Sequence, residues 1–132
     1  MDRGRPASLP KNQTGAVIER LQRAWNAHDI EAFVACFDPG YDSRWPIHPE
    51  RDFRGVDHVR ERWAGNFERM PDFRADLLAL AAGTDGTAWT EWRWSGTRAD
   101  GTRMDDQGVI VYSIRDGRIA AGRLYLEPRP AL

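Results

Sequence analysis

Three Asp-Gly pairs divide the second half of this 132-residue chain at nearly even intervals, at 85–86, 100–101 and 116–117. Both residue types tolerate the positive φ that tight hairpin turns require. The runs between the pairs alternate apolar and polar side chains, as strands do, and they cover residues 73–82, 87–97, 105–114 and 118–127. Alternating runs joined by Asp-Gly turns predict a four-stranded antiparallel meander.

The first half of the chain has helical periodicity instead. Apolar side chains recur every three or four residues, which predicts a first helix over residues 14–28. Asp29 is suited to begin a second helix over residues 30–37, because a short carboxylate accepts free backbone N–H groups. A strand over residues 41–47 and a third helix over residues 56–70 complete the pattern.

One α+β domain accounts for this order of elements. Helices placed ahead of a meander must cover one of its faces, and long twisted strands do not form a flat sheet. We therefore expect three N-terminal helices packed on a curved antiparallel sheet of four to six strands, with an internal pocket. The domain is expected to span residues 14–128, between a flexible leader over residues 1–13 and a tail over residues 129–132.

Composition excludes several classes of protein. The formal net charge is −1 at pH 7, so the chain has no overall attraction to nucleic acid. The single cysteine, Cys36, excludes an internal disulfide and fits a reducing compartment. No apolar run approaches the roughly 18 residues that suggest a membrane span, and the N-terminus lacks the apolar core of a signal peptide. We expect a cytoplasmic protein that binds neither nucleic acid nor membrane.

Metal and cofactor sites have no sequence signature here. The three histidines, His28, His48 and His58, lack a ligand spacing such as H-x-x-x-H, and no glycine-rich phosphate loop is present. The sequence therefore predicts neither a metal nor a cofactor.

Several short segments occur in an order and spacing found in a known superfamily. They are Trp-Asn-Ala-His-Asp at 25–29, Gly55, Glu-Trp-Arg-Trp-Ser-Gly-Thr at 91–97, Asp-Gly-Arg-Ile at 116–119 and Arg-Leu-Tyr-Leu-Glu at 123–127. Together they make the chain similar to the NTF2-like superfamily, which includes ketosteroid isomerases and SnoaL-like polyketide cyclases, over about residues 14–127. The resemblance implies a cone-shaped roll that binds a small hydrophobic or aromatic ligand, and a homodimer formed through the convex face of the sheet.

The resemblance to ketosteroid isomerases fails at the reacting groups. That family uses an Asp before Pro as its base, and here the matching pair is His48-Pro49. It also holds the substrate oxygen with a Tyr and a protonated Asp, whose positions fall on Leu21 and at or near Val109. Losing one such donor typically costs about 10²–10³ in rate. Authentic steroid isomerisation is therefore not expected.

His48 is the first candidate for catalysis, because histidine accepts and gives protons near physiological pH. The resemblance places it at the mouth of the pocket. Tyr41, Trp45 and Trp63 are expected to face the pocket from the first strand and the third helix, although plain core packing accounts for them equally well.

Two predicted strands carry polar and apolar side chains on opposite faces. Glu91 and Arg93 alternate with Trp92 and Trp94, and Arg123, Tyr125 and Glu127 alternate with Leu124 and Leu126. If the polar sets face inward, Glu91 or Glu127 assists His48. The remaining polar side chains, Arg93, Arg123 and Tyr125, then bind substrate. If the apolar sets face inward, the charged residues form salt bridges on the convex face or in a dimer interface. The sequence leaves both arrangements open.

Two functions are consistent with these features. The first is a cofactor-independent enzyme that isomerises, cyclises, dehydrates or hydrolyses a carbonyl-type compound, with His48 as acid or base. The second is a non-catalytic ligand-binding or accessory module, which the missing oxygen-holding pair favours.

Overall fold

The computed structural model describes the backbone of residues 5–130 and the side chains of residues 13–130. Its helices and strands, in chain order, are α1 (Arg5–Ala27), α2 (Ile30–Val34), β1 (Phe37–Arg44), a 3₁₀ turn (Pro49–Arg51), β2 (Phe53–Arg54), α3 (Val56–Arg69), β3 (Arg74–Ala82), β4 (Thr87–Thr97), β5 (Arg103–Arg115) and β6 (Arg118–Pro128). The predicted α+β class, with three helices ahead of the meander, is confirmed. Within the described residues, no helix is both long enough and apolar enough to cross a membrane.

The strands form one open six-stranded sheet in the order β2-β1-β6-β5-β4-β3. The last four strands pair antiparallel with their sequence neighbours, as predicted. The turn between β5 and β6 has positive φ at both Asp116 and Gly117 (54° and 76°), the conformation that favours this dipeptide.

The expectation of a wholly antiparallel sheet is wrong, because β1 runs parallel to β6. Parallel neighbours need a long crossover rather than a hairpin. Here α3 carries the chain from the β1–β2 edge to β3 at the opposite edge, and three hairpins then return it to β6 beside β1. The β1–β6 pairing therefore joins the β1–β2 strand pair to the meander in one sheet.

Two helix boundaries differ from the predictions. α1 begins at Arg5 rather than at residue 14, so residues 5–13, expected to form a flexible leader, are helical. The rest of that leader, residues 1–4, lies outside the described residues. Asp29 caps α2 as expected, accepting a hydrogen bond from Ala32 N at 3.1 Å. However, α2 ends at Val34 rather than at 37, because Cys36 O accepts from Ile119 N at 2.8 Å and Phe37 pairs with β6.

The core lies between the helices and the concave face of the sheet. Trp25 of α1 occupies its centre, with its ring centroid 5.0–6.4 Å from those of five other aromatic side chains: Phe33, Trp63, Phe73, Trp92 and Trp94. Val59, Trp63 and Phe67 recur at steps of four along α3, and all three are buried. Asn26 ties α1 to the sheet, because its side-chain amide both donates to and accepts from the backbone of Ala75 (2.9 and 2.8 Å).

Candidate functional site

A cavity of about 110 Å³ lies between the helices and the concave face of the sheet. Its walls are largely aromatic, and Tyr41, Trp45 and Trp63 are among the lining residues. These are the locations that the sequence analysis assigned to the three side chains, whose role in binding stays a prediction. The exposed Arg62 and the half-buried Met104 also line the cavity, so it reaches the surface between α3 and β5.

Two buried phenols supply polar groups to this cavity. Burial raises the pKa of Tyr41 to about 12, although a hydrogen bond with Ser43 offsets part of the rise. Burial likewise raises the pKa of Tyr112 well above its usual value, and Tyr41 adds to the rise. Both hydroxyls therefore stay protonated at physiological pH and can donate hydrogen bonds to an oxygen atom in the cavity.

A histidine–carboxylate pair lies next to Trp45, outside the lining of the cavity, and Glu127 belongs to the convex set of β6 through its pairing with Gln107. The Nε2 atom of His48 is 2.7 Å from Oε2 of Glu127, and its Nδ1 atom is 3.7 Å from Oε2 of Glu50. The half-buried imidazole also packs against the ring of Trp45, at 6.5 Å between centroids, and Trp45 lines the cavity. Of the two carboxylates expected to assist His48, the structure places Glu127 next to it.

The parallel pairing of β1 and β6 explains this proximity. Arg44 and Arg123 are partners in the register, and His48 and Glu127 each lie four residues further along. Sequence reasoning named both residues, but it did not predict the parallel pairing that brings them together.

Arg51 and Asp106, together with the His48–Glu127 pair, form a polar rim next to the cavity. The guanidinium of Arg51 lies 4.8 Å from the centroid of the Trp45 ring, a cation–π contact. Asp106 pairs with Trp94 across the sheet, so both side chains are on the concave face. Burial raises the pKa of the Asp106 carboxyl, while Arg98 and Arg51 lower it in part.

Asp106 is not among the site residues predicted from the sequence. The available signal was its phase on the strand, since it shares a face with Ile110 and Tyr112. Its neighbour Asp105 points to the convex face, where its carboxylate binds Arg93 at 2.9 and 3.1 Å.

The apolar faces of β4 and β6 point inward, so the alternative with polar sets in the pocket is wrong. Trp92 and Trp94 are buried, as are Leu124 and Leu126. The opposite, convex face carries the other predicted site residues, Glu91, Arg93, Arg123 and Tyr125. Burying large apolar side chains stabilises the fold, whereas buried charges are costly unless paired.

Glu91 therefore does not approach His48. On the convex face its carboxylate accepts a hydrogen bond from the side-chain amide of Gln107 at 3.2 Å. Leu21 is fully buried in the core, and Val109 lies beside Glu91 on the convex face. Neither of these two positions presents an oxygen-holding donor to the cavity.

The histidines outside the pair have structural surroundings. His28 stacks on Phe67 and its Nε2 atom lies 2.9 Å from Phe73 O, whereas His58 is exposed on α3. Over the part of the chain that the structure describes, no three His, Cys, Asp or Glu side chains group as metal ligands.

A family model described as the SnoaL-like domain matches residues 18–122 of this chain. The chain belongs to the SnoaL-like family. No curated protein sequence matches it. The family assignment agrees with the resemblance drawn from the sequence, and most of the cavity lining lies within the matched residues, whereas Leu124 and Glu127 follow them.

Solved structures similar to the SnoaL-like chain include Bal32a from a soil-derived mobile gene cassette, with 22% identity, a TM-score of 0.77 and coverage of 89% of this chain and 91% of that one. The epoxide hydrolase/cyclase-like enzyme SalBIII, of pyran ring formation in polyether salinomycin, is 19% identical with a TM-score of 0.78 over 89% and 92% of the two chains. An LEH-like epoxide hydrolase from M. tuberculosis is 16% identical with a TM-score of 0.76 over 88% and 84%. At these identities the likeness shows the fold.

Proposed function

We propose that this protein is a cofactor-independent enzyme that applies general acid–base chemistry to a small hydrophobic, carbonyl-type compound, in an isomerisation, cyclisation, dehydration or hydrolysis. The observation that carries the proposal is the His48–Glu127 pair, which rests on Trp45 at the edge of an aromatic cavity. A proton-exchanging group beside an apolar binding space is the arrangement that such chemistry requires.

The pair also supports one direction of proton transfer. If the Glu127 carboxylate accepts the proton of Nε2, the lone pair of the imidazole is on Nδ1, which makes Nδ1 the basic atom. The only carboxylate near Nδ1 among the described residues is that of Glu50, 3.7 Å away and largely exposed, so a substrate can displace it. His48 would take a proton through Nδ1, while Tyr41 and Tyr112 would donate hydrogen bonds to the substrate oxygen.

The size of the cavity limits the substrate. Apolar cavities of roughly 150 Å³ bind benzene, so a cavity of about 110 Å³ sets a group the size of one ring as the upper limit. A steroid nucleus does not fit, in agreement with the absence of the isomerase's oxygen-holding pair. The similarity to SalBIII, an epoxide hydrolase/cyclase-like enzyme, and to the LEH-like epoxide hydrolase favours cyclisation or epoxide hydrolysis among the possible reactions.

The test is turnover by the His48→Ala variant over a panel of one-ring ketones, enones and epoxides. Loss of a positioned acid–base group typically lowers the rate by about 10²–10⁴. His58→Ala is the matched control, because it removes an exposed histidine of α3. Equal turnover by wild type and His48→Ala would remove His48 from the mechanism.

A non-catalytic ligand-binding module is the second candidate. The carboxylate of Glu50 near Nδ1 and the missing oxygen-holding pair favour it. This function predicts saturable quenching of tryptophan fluorescence by one-ring ligands without their consumption. Product formation above background on any substrate in the panel would count against it.

We also propose a homodimer formed through the convex face of the sheet. Trp89 and Tyr125 are both substantially exposed there, at 54% and 37%, beside Val109. Exposed aromatic side chains on one face are typical of an interaction surface. A cytoplasmic location stays a prediction.

A further inference from the structure

Two indole N–H groups in the wall of the cavity have no hydrogen-bond partner. The Nε1 atoms of Trp25 and Trp94 are fully buried, and neither donates to any of the described residues. Both rings line the cavity, Trp25 from α1 and Trp94 from β4, with their centroids 5.4 Å apart. The two rings meet edge to face, with 68° between their planes, so two indoles with unpartnered N–H groups adjoin in the wall of the same space.

The neighbouring Trp92 shows that this fold can satisfy a buried indole. Its Nε1 atom donates to Oγ1 of Thr90 at 2.7 Å, and that hydroxyl donates in turn to Ile110 O at 2.6 Å. Leaving a buried donor without a partner destabilises the folded state. Phenylalanine at both positions would avoid the cost of the unpaired donors. We therefore expect a function that uses the N–H groups of Trp25 and Trp94.

The chemistry of the lining defines the missing partner. Among the described lining residues there is no carboxylate, and the polar groups are the protonated hydroxyls of Tyr41 and Tyr112 together with Ser43, Asn66 and the exposed Arg62 at the mouth. Since an unpaired anion is costly to bury in so apolar a space, the best partner for two neutral N–H donors is a neutral oxygen, as in a ketone, ether or epoxide.

We propose that Trp25 and Trp94 donate their indole N–H groups to a neutral oxygen atom on the buried end of the cavity's ligand. The two indoles would hold a carbonyl or epoxide oxygen. They occupy positions other than Leu21 and Val109, where the tyrosine and the aspartic acid of ketosteroid isomerases fall in this chain. The inference rests on the proposed function, because it orients the ligand in the same cavity.

The first experiment uses the unmodified protein and two probes of nearly equal shape, cyclohexanone and methylenecyclohexane, of which only the first has an oxygen. In ¹H–¹⁵N spectra, the indole resonances of Trp25 and Trp94 should move downfield with cyclohexanone and stay nearly fixed with methylenecyclohexane. Trp25→Phe and Trp94→Phe assign the two resonances. If cyclohexanone binds and neither resonance moves downfield, for example because each N–H points at a neighbouring ring face, the inference is wrong.

The second experiment measures the affinity ratio of the two probes in variants. Trp25→Phe and Trp94→Phe should each lower the preference for cyclohexanone by about three- to tenfold, the value of one hydrogen bond. Trp92→Phe is the matched control, since it removes an indole N–H that has its own partner, and its ratio should not change. Taking the ratio cancels the difference in hydration between the probes.

The outcomes separate this inference from the proposed function. Binding of both probes with the same ratio in all variants overturns the indole assignment and leaves the ligand cavity standing. If neither probe binds the wild type, both proposals fail. Should a variant not fold, triple-resonance assignment of the wild type identifies its indole resonance instead, and the wild-type spectra then decide the matter.

Discussion

His48 and Glu127 lie 79 residues apart in the sequence and 2.7 Å apart in the structure. One residue follows β1 and the other is near the end of β6, and the parallel pairing of these strands brings them together. Because neither strand is joined to the other by a hairpin, the position of this pair depends on the whole domain being folded. The pair is thus a product of tertiary structure rather than of a local motif.

The first prediction concerns the role of Glu127. Glu127→Gln keeps the size of the side chain but removes its charge and its preference for accepting the Nε2 proton. We expect turnover to fall by up to about 10²-fold, less than for His48→Ala, with a smaller change in KM. The measurement is steady-state kinetics on a substrate found by the panel.

Glu50→Gln is the matched control for this variant. It alters the exposed carboxylate near the other imidazole nitrogen, and we expect turnover to stay the same or to rise. A larger loss of turnover in Glu50→Gln than in Glu127→Gln would exchange the roles assigned to the two carboxylates.

How far the sequence predicts the fold depends on the range of the interactions. The turns at Asp85-Gly86, Asp100-Gly101 and Asp116-Gly117 follow from local φ preferences, and the buried face of α3 follows from helical periodicity. The parallel β1–β6 pair and the early end of α2 do not, because both arise from contacts with residues 79 or more positions away.

The sequence does not show which face of β4 points inward, for a related reason. Alternation groups Trp92 with Trp94 and Glu91 with Arg93, but only the position of α1 and α3 shows which group is covered. The same applies to Asp106, whose phase on β5 is visible in the sequence, whereas the burial that raises its pKa is not.

The second prediction tests how closely the cavity wall is packed. A Cβ atom on Gly122 would lie 2.7 Å from the hydroxyl oxygen of Tyr41 and 3.3 Å from the ring of Tyr112. Gly122→Ala should therefore destabilise the protein by about 1–3 kcal/mol and weaken ligand binding, because it displaces a cavity hydroxyl. Urea unfolding and fluorescence titration measure the two effects.

Gly15→Ala on α1 is the control for that substitution. Its added Cβ meets nothing closer than 3.8 Å, and alanine in a helix interior is more favourable than glycine by about 0.5–1 kcal/mol. We expect Gly15→Ala to raise stability slightly. A Gly122→Ala variant as stable as wild type would show that the wall around Tyr41 yields easily.

The third prediction concerns the convex face. Trp89→Glu would place a carboxylate at the centre of the proposed dimer interface, and we expect the dimer Kd to rise at least about tenfold, since burying an unpaired charge is costly. Ile47→Glu is the control, because Ile47 is even more exposed (65%) but lies in the turn after β1. Sedimentation or light scattering measures both, and a wild type that stays monomeric at micromolar concentration contradicts the dimer.

The fourth prediction uses two adjacent carboxyls whose pKa values are shifted in opposite directions. On the convex face, Arg93 holds the pKa of Asp105 below its usual value, whereas burial raises the pKa of Asp106 on the concave face. A lowered pKa means that ionised Asp105 stabilises the folded state above the unfolded pKa of roughly 3.9, and that this contribution is lost as the pH falls through the folded pKa. For Asp106 the sign reverses, so its contribution is present at low pH and is lost as the pH rises through the folded pKa.

Asp105→Asn should therefore lower the free energy of unfolding at pH 7, and Asp106→Asn should leave it unchanged or raise it. Both differences from wild type should shrink at pH 3, where both carboxyls of the unfolded chain are mostly protonated and Asp106 is neutral in the folded state as well, whereas the lowered pKa of folded Asp105 means that its difference vanishes only at still lower pH. Urea unfolding of the three proteins at both pH values measures this. Destabilisation by Asp106→Asn at pH 7, equal to that by Asp105→Asn, would show that ionised Asp106 has a favourable partner in the rim, and Arg51 would be the first residue to test for that role.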